Sequence, residues 1–316
     1  MPDLTVIVPT YNGRAHLRTT LDSLTRQTEP VHVIVVDDGS TDGTPGLARQ
    51  HAVVAQVLIQ ENAGVAVARN RGLAHAATPF VAFLDQDDMW HPSRAESLLQ
   101  LAANTGRAAV GTTEQAFALE SDRATLASVG DGRDAWPAQW IATDDEASLL
   151  DGNVGGSNDV EELTVERFMR APLAVTTAFM YDREAAISAG GCATFIKAAD
   201  DHVLNVNMAK IFGPIARLDR PSLFYRVHPA STTTTSPLVA PYLTTLLALR
   251  HGRSLPSDPV ESDYVDHLLW QMPKQTHLPV WERLSLLALT VPPNRRVRWL
   301  ARWTKAATSS KVRSRR

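Results

Sequence analysis

Apolar positions along the first hundred residues follow two alternating rhythms. Leu4-Thr-Val-Ile-Val-Pro9 is a short apolar run of the kind that forms a strand buried on both faces. Arg14 to Thr25 follows, with Leu17, Leu21 and Leu24 on one helical face. Val33-Ile-Val-Val36 predicts a second buried strand, and Thr44-Pro45 opens the next helix with a capping hydroxyl ahead of a proline at the first helical position. Val57-Leu58-Ile59 predicts a third strand, Val65 to Ala77 an alanine-rich helix, and Phe80 to Leu84 a fourth strand. A βαβα order of this kind predicts a parallel sheet with helices on both faces and right-handed crossovers.

The later pattern is less regular. Residues 92 to 104 read as a helix and Ala108 to Thr112 as a fifth strand. Between 114 and 162 the acids, the glycine-rich stretch Gly152 to Ser157, and the tryptophans Trp136 and Trp140 show no period. A variable loop region covering the site is expected there. Leu173 to Tyr181 predicts a strand, Asp200 to Lys210 a helix, and Pro214 to Leu218 a further strand. Beyond Ser236 the period becomes helical, at Tyr242 to Arg250, Tyr264 to Gln271 and Val280 to Leu289. The expected plan is one α/β domain over residues 1–236 and a helical C-terminal extension over 237–316.

Composition narrows the class. A chain of 316 residues, 44% apolar and 21% charged, can bury a substantial core. A net charge of −3 argues against a general nucleic-acid binder. The single cysteine, Cys192, forms no intramolecular disulfide and reads as a small residue in a Gly-Gly-Cys loop. No apolar run approaches a membrane span, and the strand-like run beginning at position 4 leaves no room for a signal peptide. The expected location is cytoplasmic. In the last stretch, Arg295, Arg298 and Arg302 alternate with Val297, Trp299, Leu300 and Trp303. Such a segment either lies at an anionic membrane surface or is a solvated helix with a loose end.

Ligands of open parallel sheets sit beyond the carboxyl ends of the strands. Here those ends are Pro9-Thr-Tyr-Asn12, Asp37-Asp-Gly-Ser40 and Asp85-Gln-Asp-Asp88, three polar clusters on one edge. Like charges as close as Asp85, Asp87 and Asp88 must be hydrated, partly protonated or neutralised by something positive. A divalent cation carrying phosphate oxygens would serve, and so would a solvated junction whose acids cap the next turn. Asp38 either ends a turn or accepts hydrogen bonds from a base or ribose; Tyr11 either packs or stacks. Neither a G-x-G-x-x-G fingerprint nor a P-loop is present, so phosphate would be held by a metal or by arginines. Trp90 reads first as packing, with stacking on an acceptor ring as the alternative.

Val-Pro-Thr-Tyr-Asn (8–12), Val-Asp-Asp-Gly-Ser-Thr-Asp (36–42), Asn-Ala-Gly…Ala-Arg-Asn-Arg-Gly (62–72) and Phe-Leu-Asp-Gln-Asp-Asp (83–88) occur in order. Together they resemble the family 2 glycosyltransferases, which have the nucleotide-sugar-binding GT-A fold. The resemblance is dense over residues 3 to 105 and thinner at Gly190-Gly191, Asp200 to Leu204 and Tyr225-Arg-Val-His228. It implies a mostly parallel, Rossmann-like central sheet, with a nucleotide-sugar-binding half over 1–112 and an acceptor-binding and catalytic-base half over 113–236. By the same resemblance Pro9 and Tyr11 would line the base, Asp38 would hydrogen-bond it, and Arg69 would sit beside it. Asp85 and Asp87 match the D-x-D motif. Asp87 would hold Mn²⁺ or Mg²⁺ on the donor diphosphate, Asp85 would lie near the ribose and at the metal's edge, and Asp88 near the sugar or acceptor. Asp201 would be the catalytic base, with Asp200 the alternative because this chain has Ala-Asp-Asp rather than the commoner Glu-Asp. Arg226 and His228 match the late Tyr-Arg-x-His segment, near the diphosphate and the metal.

These expectations describe an inverting, metal-dependent hexosyltransferase-type enzyme. It would use a nucleoside-diphosphate sugar, expected to be UDP-linked, and a hydroxyl acceptor on a surface glycan or lipid-linked precursor. Charge building on the departing phosphate calls for a Lewis acid and cations, and the acceptor's proton calls for a carboxylate base. The rivals are a sugar-nucleotide nucleotidyltransferase and a non-catalytic sugar-nucleotide-binding scaffold.

Overall fold

The computed structural model describes residues 2–128, 141–170, 176–194 and 200–230. Among them the strands are β1 (Leu4–Thr10), β2 (Val31–Asp37), β3 (Val54–Ile59), β4 (Phe80–Phe83), β5 (Met89–Trp90), β6 (Ala109–Leu119), β7 (Ile141–Thr143), β8 (Val160–Leu163), β9 (Phe179–Asp182) and β10 (Ile215–Arg226). The helices are α1 (Leu17–Thr25), α2 (Thr44–Gln50), α3 (Val65–His75), α4 (Arg94–Thr105), α5 (Arg123–Ser128), α6 (Val165–Arg170), α7 (Arg183–Ser188) and α8 (Asp200–Phe212). All described strands join one mixed sheet in the order β3-β2-β1-β4-β9-β6-β10-β5, with β7 on β6 and β8 on β10.

The first four strands are the parallel unit that the apolar runs predict. β1 lies between β2 and β4, and every residue of β1 is buried. Pro9 pairs with Val36 beyond Ile7↔Phe83, where the β1–β4 ladder has ended, so its missing N–H costs no ladder bond on that side. Helix α3 packs closely on this unit through Gly72. A Cβ there would stand 2.3 Å from Ile7 Cγ2, inside van der Waals contact.

Beyond β4 the sheet turns mixed. β9 runs antiparallel between β4 and β6, and β10 lies parallel to β6. β10 shifts register between Leu218 and Leu223, where it leaves its antiparallel partner β8 and takes up β5. Past this shift β10 runs on to Arg226, which meets Asp87 and Asp88 of the loop that follows β4.

Several expectations change here. The fifth strand continues to Leu119 through Thr113-Glu114-Gln115, a polar triplet that hides it from an apolar search. Residues 114–162 are not one loop. They hold the end of β6, a 3₁₀ turn at Glu120–Asp122, α5, β7, a second 3₁₀ turn at Glu146–Leu150 and β8. Of the strand expected over 173–181, residues 173–175 lie outside the described residues, Thr176–Ala178 form a 3₁₀ turn, and β9 begins at Phe179. The strand expected to stop at Leu218 continues past the bulge.

The chain divides into two compact units. The first comprises Met1–Phe168, Pro172–Phe195 and Asp200–Ser236; the second is made of Met169–Ala171, Ile196–Ala199 and Pro237–Arg316. The helices expected beyond Ser236, the basic tail, Trp136 and Trp140 lie outside the described residues. No helix among the described residues is long and apolar enough to cross a membrane.

Candidate active site

The loops leaving β1, β2 and β4 are stitched to one another by side-chain-to-backbone bonds. Asn12 takes a left-handed conformation at φ 48°, donates its N–H to Ser40 Oγ (2.8 Å) and accepts from the Thr41 N–H (2.9 Å). Gln86 holds the β1 loop from the other side. Its Oε1 accepts the Tyr11 N–H (2.9 Å), and it lies so close to Gly13 that a Cβ there would meet Oε1 at 2.0 Å. From α1, Thr20 Oγ1 donates to the Gln86 carbonyl (2.8 Å). The acid loop 85–88 is therefore fixed by α1 and the β1 loop together.

Tyr11 is half-exposed at 50%, leaving its ring free to meet a planar ligand. Pro9 lies buried within β1. Asp38 is buried, and its carboxylate already takes three internal donors: Gln60 Nε2, the Ala63 N–H and the Gly64 N–H, each at 2.8 Å. It thereby fixes the entry to α3. A carboxylate offers about four acceptor positions, so at most one remains for a base. Arg69, one turn into α3, donates Nη2 to Asp85 Oδ1 (2.6 Å) and lies over the Phe83 ring at 5.9 Å. Helix α3 thus couples the Asp38 end of the site to the Asp85 end.

The three acids of the loop have different surroundings. Asp85 is partly exposed and ion-paired with Arg69. Asp87 Oδ2 stands 3.0 Å from His228 Nε2, and the Asp87 carbonyl accepts from Arg226 Nε (2.7 Å). Asp88 is 1% exposed; its Oδ1 accepts the Arg226 N–H (3.0 Å) and its Oδ2 the Thr177 hydroxyl (3.3 Å). Burial, then Asp87 and Asp85, hold the Asp88 carboxyl well above the usual carboxylate range. Each member of the cluster has its own partners: Arg69 for Asp85, His228 for Asp87, and the Arg226 N–H and Thr177 hydroxyl for Asp88.

Two expected ligand contacts are corrected by burial. Asp88 faces inward, where its two oxygens accept from the Arg226 N–H and the Thr177 hydroxyl and tie the acid loop to β10. Trp90, fully buried in β5, has the Arg94 guanidinium over its ring at 5.0 Å and presents no face to an acceptor. A third expectation is narrowed. Arg226 is 2% exposed, over the Phe117 ring at 4.7 Å, and ion-paired with Glu146, while its buried Nη1 and Nη2 make no hydrogen bond among the described residues. Asp200 and Asp201 open α8, but their side chains lie outside the described residues.

The sequence missed Glu146 and His16. Glu146 sits in the 3₁₀ turn of the aperiodic stretch and accepts a bond from Thr19 Oγ1 (3.0 Å). The His16 ring lies 4.8 Å from that of His228. Burial, then Arg226 and His228, lower the His16 pKa. No periodicity marks either residue; the spacing of the family motifs points only to residues 226–228.

Asp87 and His228 are the described groups suited to hold a cation. Adjacent ligands of an octahedral Mg²⁺ at about 2.1 Å stand about 3 Å apart, and the Asp87–His228 separation matches. No group of three or more His, Cys, Asp or Glu able to hold a metal occurs among the described residues. A cation here would take its remaining ligands from a phosphate-bearing substrate and water, as Mg²⁺ commonly does.

Comparison with known proteins gives the same picture. The model of Glycosyl transferase family 2 matches residues 5–204. A putative teichuronic acid biosynthesis glycosyltransferase, TuaG of Bacillus subtilis, is 40% identical over 104 residues, 31% of this chain and 41% of that protein. The match therefore spans under half of that relative. Among solved structures, S. aureus TarS 1–349 in complex with UDP-GlcNAc superposes with a TM-score of 0.62 at 17% identity, over 96% of this chain and 79% of that one. The mannosyltransferase PcManGT from Pyrobaculum calidifontis, in complex with GDP-Man and Mn²⁺, gives 0.55 at 21%, over 98% and 80%. The fold is that of the GT-A transferases.

Proposed function

This chain belongs to glycosyl transferase family 2, and on that premise we propose that it moves a sugar from a nucleoside-diphosphate donor to a hydroxyl of a glycan or lipid-linked acceptor, with inversion. The observation that carries the reading is the meeting of Tyr11, Asp38, Asp85, Asp87 and His228 on one sheet edge, although they come from the ends of four different strands.

In this reading Tyr11 stacks on the base, and Asp38 shapes the base pocket by fixing the Ala63 and Gly64 amides. Arg69 holds the Asp85 carboxylate toward the ribose. Asp87 and His228 hold Mn²⁺ or Mg²⁺, which when bound supplies Lewis-acid neutralisation of the diphosphate. Asp201, at the start of α8, takes the acceptor's proton while the acceptor oxygen bonds to the anomeric carbon and the carbon–phosphate-oxygen bond breaks. A single displacement of this kind inverts the anomeric centre, and a positioned carboxylate base is worth about 10²- to 10⁴-fold.

One neighbour in fold is a UDP-sugar complex and the other a GDP-sugar complex, so both nucleotides belong in the test. Calorimetric titration of UDP and GDP, with and without Mn²⁺, should give metal-enhanced binding for one of them. Asp87→Ala should remove that enhancement. Asp201→Asn should bind the nucleotide as the wild type does, while transfer to a panel of glycan acceptors falls by about 10²-fold or more. Undiminished transfer by a well-folded Asp201→Asn protein would refute the base assignment.

A further inference from the structure

We infer that Glu146 is a positioning residue for the Asp87–His228 pair, acting through Arg226. The inference rests on the transferase reading above, and it assigns a role to a residue outside every recognised motif.

Arg226 is bound to the acid loop at two points. Its backbone N–H donates to Asp88 Oδ1 at 3.0 Å, and its Nε donates to the Asp87 carbonyl at 2.7 Å. Its guanidinium lies over Phe117 at 4.7 Å, and the residue is 2% exposed. A cation at that depth needs a counter-charge close by, because removing one partner of a buried pair leaves a charge uncompensated. Glu146 supplies it through an ion pair to Nη1. The other Glu146 oxygen accepts from Thr19 of α1 at 3.0 Å, and Thr20 of the same helix donates to the Gln86 carbonyl at 2.8 Å. A closed ring of contacts therefore runs from α1 through Glu146, Arg226 and Asp87 to Gln86 and back to α1.

The ring has a consequence for charge. Arg226 holds Asp87 by its backbone carbonyl, and the carboxylate of the same residue is paired with His228 at 3.0 Å. While Glu146 compensates Arg226, Asp87 stays turned to His228 and to the cation the two would share. Without Glu146, Arg226 competes for Asp87 and draws it from that position. Glu146 has a side chain 24% exposed, so neutralising it opens no core.

The variant is Glu146→Gln, which keeps the length and the Thr19 contact but loses the charge. The Mn²⁺ concentration giving half-maximal binding of UDP or GDP should rise at least fivefold. Affinity for the same nucleotide in EDTA should stay unchanged, while the unfolding temperature falls because the buried Arg226 loses its counter-charge. In an Arg226→Met background, where no cation needs compensating, adding Glu146→Gln should shift the midpoint no further. If Arg226→Met does not fold, amide hydrogen exchange over residues 85–90 in the ligand-free protein decides the coupling. It should quicken in Glu146→Gln. An unchanged Mn²⁺ midpoint, an equal loss of metal-free binding, or unchanged exchange over 85–90 overturns the inference. Wild-type protein that binds neither nucleotide sinks the transferase reading instead, and the ligand-free exchange tells that failure apart.

Discussion

His202 shows how far one buried ring can be moved from its ordinary chemistry. It is buried in α8, packed edge-on against Phe168 at 6.0 Å between centroids. Burial pushes its pKa down to about 4, with a bond to the Phe168 backbone opposing part of the shift. Above about pH 6.5 the ring is neutral whether the chain is folded or not, so it leaves stability unchanged. As pH falls below that value the unfolded chain takes up a proton that the folded one refuses. Stability should therefore decline from about pH 6.5 to about pH 4, by about 3 kcal/mol in all, and His202→Gln should flatten that decline. Denaturant melts of both proteins across this range check it; parallel pH profiles would contradict the burial argument. Asp88 is the same lesson with opposite sign. Nothing in Asp85-Gln-Asp-Asp88 separates the inward acid from the two that face the site, because the difference is made by Arg226 and Thr177, which are remote in sequence.

Among the elements, α3 bears most directly on the site. It receives Asp38 at its start, sends Arg69 to Asp85, and lies on β1 at Gly72. Gly72→Ala should help the isolated helix by about 1 kcal/mol and cost about 1–3 kcal/mol in overpacking against the stiff, buried Ile7. The net expectation is a melting temperature lower by a few degrees, with weaker nucleotide binding as α3 lifts; a variant as stable as the parent would show that the contact relaxes freely. The same element explains what was readable. β1, β2 and β4 are buried along most of their length, so each appears in the sequence as a continuous apolar run, whereas β3 at the sheet edge buries only Leu58. β6 hides behind Thr113-Glu114-Gln115, β10 behind its bulge, and β5, with two residues, is too short to carry a period. Three polar clusters on one edge follow from strand direction alone. The ring through Glu146 does not, because its members meet only once β10 has bent around the bulge.

At the scale of the whole molecule, neighbours in the sheet are not neighbours in the chain. β3, β2, β1 and β4 assemble from residues 4–83, whereas β4 receives its other partner from Phe179–Asp182. Until then the run Phe80-Val81-Ala82-Phe83 has one unpaired edge, apolar and without a charge to discourage foreign strands. A fragment ending at Thr105 should accordingly self-associate, which light scattering would detect. A monodisperse monomer would show that another segment shields the edge. In the growing chain, at about 5–20 residues per second, the interval from Phe83 to Phe179 lasts roughly 5–20 s. For that time the half-built sheet depends on the ribosome and on chaperones to stay out of aggregates.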